Sequence, residues 1–240
     1  MRVRVVRVDS EEEYRLIGSW LWSAERIAHS ALITGTGILG FTSPNGSAGV
    51  SALTRLVAEI LVRSGLRVML VDFNTPTVYL ETSPSGSFDS HNPWQYSSGE
   101  NGGYTILTAK PTFETRFLFN NVSWLRQRLG EEKEAASILI ADLPPVIPNR
   151  SDILNVIGPA SACDAVLLVC PRGRMTRSQL VKTMSVLRAA AVNVVGTVLN
   201  DVDYLTPGEE LAPQARSFFR RTPILARWME KRVRASRLLR

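Results

Sequence analysis

Apolar runs of strand length alternate with stretches of helical period along most of the 240 residues. The runs are Gly37 to Thr42, Arg67 to Val71 closing at Asp72, Tyr104 to Thr108, Ser137 to Asp142, Ala165 to Cys170, and Val192 to Leu199 closing at Asn200. They are near-continuous, which is how strands buried on both faces read. Between them lies helical period. Ala52 to Ser64 carries Leu53, Leu56, Val57, Ile60 and Leu61 on one stripe, and Thr176 to Ala190 turns Leu180, Met184 and Leu187 inward. Phe113 to Leu129 and Ser151 to Pro159 are the other helical stretches. Gly65 stands where a helix closes in the left-handed region, and Gly130 marks an exposed helix end. The alternation predicts an α/β fold: a doubly wound, mostly parallel sheet with helices on both faces.

The flanks are less regular. Residues 2–8 alternate Arg and Val like an edge strand or an ordered arm. Ser10 with Glu13 forms a capping-box signature, ahead of an apolar face of Leu16, Ile17, Trp20, Leu21 and Ala24. His29 to Thr36 reads as a loop or irregular extension, and Ser83 to Gly103 as a long loop rich in Ser, Gly, Pro and Asn. There is no internal repeat. The organisation expected is one domain over residues 1–215, with the N-terminal arm and helix 1–36 included, and a separate tail over 216–240.

Charge sharpens that boundary. The last 25 residues hold nine Lys/Arg and one Glu, a local +8 against +6 for the whole chain, so the rest carries −2. The basicity belongs to the tail, and no nucleic-acid partner is expected of the body. Pro223 suits the first position of a helix. Ile224, Leu225, Trp228, Met229 and Val233 then share a face, with Arg227, Lys231, Arg232 and Arg234 around them. Such a helix can lie on anionic lipid or pack on protein with a solvated basic back. No run of 18 uncharged apolar residues occurs, so no spanning helix is expected. Cys163 and Cys170 read as two reduced core thiols of a cytoplasmic protein.

The chemistry concentrates after the first strand. Ser43-Pro44-Asn45-Gly46-Ser47-Ala48-Gly49-Val50-Ser51 is a small-residue turn between a buried strand and a helix. In a phosphate-binding loop the backbone N–H groups converge on an anion at a helix N-terminus, a Lys adds a charge and a Ser or Thr holds magnesium. Here Gly46 and Gly49 remain, Ser51 stands at the magnesium-ligand position, and Val50 occupies the place of the Lys. Asp72 and Asp142 close two other strands, and carboxylates at strand ends beside such a loop are where a metal-side acid sits. These ends, with Asn200 and the Arg172–Arg174 turn, should converge.

The ordered motifs Thr42-Ser43-Pro44, Ile140-Ala141-Asp142-Leu143-Pro144-Pro145-Val146, Asp164 to Val169 and Gly196-Thr197-Val198-Leu199-Asn200, preceded by Glu12-Glu13-Tyr14-Arg15, make residues 11–205 resemble one family. It is the bacterial tyrosine kinase family that works with chain-length regulators in exopolysaccharide and capsule synthesis, within the MinD and ParA type of P-loop ATPases. The resemblance implies a cytoplasmic ATP-binding domain docked on an inner-membrane polysaccharide co-polymerase or synthase complex. It also implies ring assembly through a helix motif matched here by Glu12 and Arg15, whose second Arg is Gly18, and autophosphorylation of a C-terminal Tyr cluster. By the same resemblance, nucleotide contacts fall on Asn45, Gly46, Ser47, Ala48, Gly49, Val50, Ser51, Ala52 and Asn200, and magnesium, if bound, on Ser51, Asp72 and Asp142.

The departures point away from catalysis. The loop Lys is Val50, the additional signature Lys falls at Asn45, the second metal-side acid is Asn74, and the last tyrosine is Tyr204. Losing one charge-assisted contact costs about 1.5–3 kcal/mol, roughly 10- to 150-fold in affinity. Phosphoryl transfer depends more heavily on fixed positive charge. The reading favoured is a non-catalytic, pseudokinase-like regulator or scaffold of an exopolysaccharide synthesis and secretion complex. It has no cofactor or only weak ATP or ADP with magnesium, is peripheral at the inner membrane, and is open to self-association. Ile224, Leu225, Arg227, Trp228, Lys231 and Arg232 are its membrane or partner contacts. The alternative is a divergent ATPase in which Arg55, Lys110, Arg172 or Arg174 supplies the missing charge and Asp72 and Asp142 are catalytic. A DNA-partitioning or cell-positioning ATPase fits less well with the Leu-Pro-Pro exit and the Glu-Tyr-Arg helix.

Overall fold

The structure is a computed structural model that describes residues 24–46, 48–74, 93–99, 103–110, 116–148, 154–171 and 175–200. The readings made on the N-terminal arm, Glu12, Arg15, Gly18, Ser47, Arg172, Arg174, Tyr204 and the tail fall outside these residues.

Seven strands form one sheet: β1 Ile38–Thr42, β2 Val68–Asp72, β3 Trp94–Ser98, β4 Thr105–Ala109, β5 Ile138–Asp142, β6 Ala165–Pro171 and β7 Val194–Asn200. Their order across the sheet is β3-β4-β2-β5-β1-β6-β7. Every neighbouring pair is parallel except β3 with β4. The helices are α1, helical over 24–34, α2 Val50–Arg63, α3 Val122–Ala135, α4 Ile157–Ala162 and α5 Arg177–Ala189. The doubly wound, mostly parallel α/β sheet expected from the sequence is the sheet observed.

Two cores lie on its two faces. Leu39, Phe41, Leu70 and Ile140 pack with Ala28 of α1 and Val57 and Leu61 of α2. Met69, Val71, Leu139 and Ala141 pack with Leu125 and Leu129 of α3 and Leu187 of α5. Successive strand residues therefore serve opposite cores, as the pleat requires. That alternation also fixes where the strand ends point. Asp72 shares parity with Val68 and Leu70, and Asp142 with Ile138 and Ile140, so both carboxylates fall on the α2 face.

The structure differs from the sequence reading in five places. Residues 29–34 are helical rather than irregular, because Ala24, Ala28 and Ala31 bury a small-residue stripe against α2 and the sheet. The stretch expected to be one long loop contains β3, an antiparallel edge strand. Trp94 anchors it in an aromatic cluster with Phe73, Phe119 and Trp124, and the Tyr96 hydroxyl is hydrogen-bonded to Glu132 and Arg128 of α3. The third helix starts later than expected, capped by Asn121, whose side chain accepts from the Trp124 N–H. It continues through Gly130, where a side chain would meet nothing, to Ala135. The short helix is Ile157–Ala162, with Pro159 tolerated in its first turn; residues 154–156 are not helical.

Finally, α2 begins at Val50, two residues before the helical period read from sequence. Its buried stripe is Val50, Leu53, Thr54, Val57, Ala58 and Leu61, while Leu56 and Ile60 are half-buried. Gly65 does close the helix in the left-handed region, at φ 85°.

Candidate functional site

The carboxyl ends of β1, β2, β5 and β7 gather around the turn that enters α2. Asp72 and Asp142 are directly paired in the β2–β5 register, and Asp142 also faces Phe41 across β1. The Asp142 main chain is held from both sides: its carbonyl accepts from the Phe73 N–H at 2.9 Å, and the next N–H, of Leu143, donates to the Phe41 carbonyl at 2.9 Å.

The Leu-Pro-Pro exit and the small-residue turn are laced together. Val146 N–H donates to the Ser43 carbonyl at 2.8 Å and Ile147 N–H to the Pro44 carbonyl at 3.0 Å. The buried Thr42 hydroxyl donates to the Pro144 carbonyl at 2.6 Å. Prolines donate no backbone N–H, so the segment couples through the residues after them and through a carbonyl. Within the turn, Ser43 Oγ donates to the Asn45 carbonyl at 2.6 Å. At the far side, the Asn200 amide donates to the Ala48 carbonyl at 2.8 Å, tying the end of β7 to the turn. Asn45, Gly46, Ala48, Gly49, Val50, Ser51, Ala52, Asn200, Asp72 and Asp142 thus lie at one end of the sheet.

Gly49 sets the entry to the helix. Its φ of 78° and ψ of 19° lie in the left-handed region, which glycine alone adopts at no steric cost. It caps α2 without a side chain, and the first turn of α2 holds no acidic residue. The N–H groups of that turn are therefore left for an anion, with the positive end of the helix dipole behind them.

Two features set the electrostatics. The first is the acid pair. Burial pushes the Asp142 carboxyl up to about 7, and the nearby Asp72 carboxylate adds to the rise; the Ser51 hydroxyl and the Arg55 guanidinium oppose it. Its Oδ1 is buried without a hydrogen-bond partner, as is Oδ1 of Asn45. The second is Val50, which is 6% exposed and belongs to the core with Leu53, Val57 and Leu61. Its side chain is packing, and nothing at position 50 carries charge into the cradle.

Asn74 places an amide where the sequence resemblance leads one to expect a second acid. Its N–H donates to Asp72 Oδ1 at 2.8 Å, and its side-chain Nδ2 stands 3.5 Å from Ser51 Oγ. Ser51, Asp72 and Asp142 form an all-oxygen donor set with one orphaned carboxylate oxygen, which fits a small hard cation. Among the described residues no group of three or more His, Cys, Asp or Glu is gathered for a metal. The set suits an ion that brings phosphate and water ligands with it, as magnesium does. Sequence reasoning missed Thr42 as the clasp between the two motifs and the bearing of Arg55 on Asp142; the first was hidden because it depends on strand neighbours 102 residues apart. Cys163 and Cys170 are buried free thiols, and burial pushes Cys163 up to about 12, so it is inert packing.

No family model and no curated protein sequence matches the chain. Solved structures do. The kinase domain of Escherichia coli tyrosine kinase ETK superposes with a TM-score of 0.55 at 20% identity, covering 73% of this chain and 71% of that one. The VpsO kinase domain gives 0.59 at 16% identity, covering 80% and 98%. The cell division protein MinD of Aquifex aeolicus gives 0.51 at 15% identity, covering 74% and 72%. At these identities the likeness is one of fold, and it agrees with the resemblance carried by the sequence motifs: the chain has the P-loop NTPase fold that tyrosine kinase domains share with MinD.

Proposed function

We propose that the chain is a non-catalytic, regulatory or scaffolding component of a bacterial exopolysaccharide synthesis and secretion complex. It works through contacts with inner-membrane machinery and binds magnesium nucleotide weakly. The observation that carries this is Val50: the position of the phosphate-binding cation is given over to the core stripe of α2. The rest of the cradle supports ligand binding in outline. Gly49 opens the helix N-terminus, and Asn200 and Thr42 brace the turn. A bound magnesium ion would supply charge neutralisation between phosphates, held by Ser51, Asp72 and Asp142. Without a lysine the γ-phosphate gains no fixed cation from position 50, so transfer is expected to be slow even where binding survives.

Glu12 and Arg15 are proposed as self-association contacts, and the basic tail at Ile224, Leu225, Arg227, Trp228, Lys231 and Arg232 as a membrane or partner contact. Among the described residues no helix is long and apolar enough to cross a membrane. Co-sedimentation with anionic liposomes, with and without residues 216–240, tests the tail; unchanged binding after truncation removes it from the proposal.

The test of the main reading is polymer output in cells carrying Asp142→Ala. A non-catalytic component leaves output intact. A divergent ATPase, the second reading, loses it; that reading is favoured by one observation, the Arg55 charge acting on Asp142.

A further inference from the structure

The turn at α2 has no lysine, but its helix carries a cation one turn further on. Arg55 follows Ser51 by four residues, and residues four apart on a helix are neighbours on one face. In a helix the Cα–Cβ bond tilts toward the N-terminus, so a long side chain at position 55 leans back over the turn holding Ser51. The buried stripe of Val50, Leu53, Val57 and Leu61 turns that flank out of the core, and Arg55 is exposed. Ser51 in turn stands beside the Asn74 amide at the acid pair.

The Arg55 guanidinium is not consumed by those acids. Among the described residues Arg63 pairs with Glu59 and Arg128 with Glu131 and Glu132, and none of these ion pairs involves Arg55. Of the other cations the sequence offers for this role, Arg172 and Arg174 lie outside the described residues and Lys110 follows β4; Arg55 shares α2 with Ser51 and stands one turn from it, whereas Arg63 lies at the far end of that helix.

We propose that Arg55 is the phosphate-binding cation of this site, taking from the second turn of α2 the contact with the terminal phosphates of a magnesium-bound nucleoside polyphosphate that a lysine at position 50 would make. The planar guanidinium matches two phosphate oxygens at once, where an ammonium acts as a point charge. It reaches the ligand over Ser51 from the flank of the helix rather than from beneath the turn. The proposal rests on the reading of the turn as an anion cradle and names the residue that completes it.

The test is calorimetric titration of the full-length protein and its Arg55→Ala, Arg55→Lys and Arg63→Ala variants. The titrants are magnesium ATP and magnesium tripolyphosphate. Arg55→Ala is expected to weaken both ligands at least tenfold and by the same factor, because the lost contact is to phosphate. Arg55→Lys recovers part of the affinity, and Arg63→Ala, on the same helix, leaves it unchanged. Wild-type affinity in Arg55→Ala overturns the proposal and leaves the cradle standing, as does a loss confined to ATP. Absence of any binding by the wild-type protein overturns the cradle together with Arg55; the regulatory role is judged separately, by polymer output.

Discussion

Two helices begin at this sheet's carboxyl end in opposite ways. Helix α5 is closed by its own side chains: Thr176 and Gln179 form a reciprocal capping box, with the Gln179 N–H on Thr176 Oγ1 at 3.2 Å and the Thr176 N–H on Gln179 Oε1 at 2.9 Å. Helix α2 is left open behind a left-handed glycine with no side-chain cap. Two aspartates repeat the contrast. Asp164, at the start of β6, spends one oxygen on the N–H groups of Gly37 and Ile38, each at 2.9 Å. Asp142, at the end of β5, keeps a buried oxygen without a partner beside a second carboxylate. An uncapped helix start and an orphaned carboxylate oxygen at the same end of the sheet are what the proposed ligand would satisfy.

The largest test of that contrast is Asp142→Asn. The ordinary carboxyl value is 3.8 and the folded one about 7, so the native state holds a proton that the unfolded chain releases between those pH values. Stability is therefore highest near pH 4 with respect to this group and falls as pH rises to about 7, by roughly 4 kcal/mol in all. Asparagine removes that dependence. Asp142→Asn is expected to raise the melting temperature by about 10 °C at pH 8 and to change it little at pH 4, read by calorimetric melting. Equal shifts at both pH values would mean the carboxyl carries no buried strain.

Asp164→Ala acts in the opposite direction. It removes the acceptor of two main-chain N–H groups, and a cost of about 3 kcal/mol is expected in urea unfolding near neutral pH. A neutral result would put Asp164 on a level with an ordinary surface residue. Val50→Ala tests whether position 50 is core: deleting two buried methyl groups should cost about 1.5 kcal/mol. The smallest effect belongs to Thr176→Ala, about 1 kcal/mol for the loss of a cap, with no change in nucleotide affinity.

Which parts of this were legible follows from what each segment buries. β1, β2, β5 and β6 are covered on both faces, so their apolar runs announce them. β3 was not legible because only Trp94 is buried and the rest of WQYSS is polar or exposed. Its pairing depends on an aromatic cluster that closes only in the fold. The passage of α3 through Gly130 was hidden because glycine is a stop signal in sequence, while here it sits on an open helix surface. The turn, Asp72, Asp142 and Asn200 could be placed at one end of the sheet from the order of motifs alone. The role of Val50 could not, because the helix was read as starting at Ala52, and only the earlier start puts residue 50 in register with Leu53, Val57 and Leu61.

The proposed function turns on a cradle with a ligand-binding outline in which position 50 belongs to the core and carries no charge. Phosphate release by the pure full-length protein with saturating magnesium ATP bears on it most directly. The expected result is no release above the protein-free blank; sustained release that disappears in Asp142→Ala would contradict it.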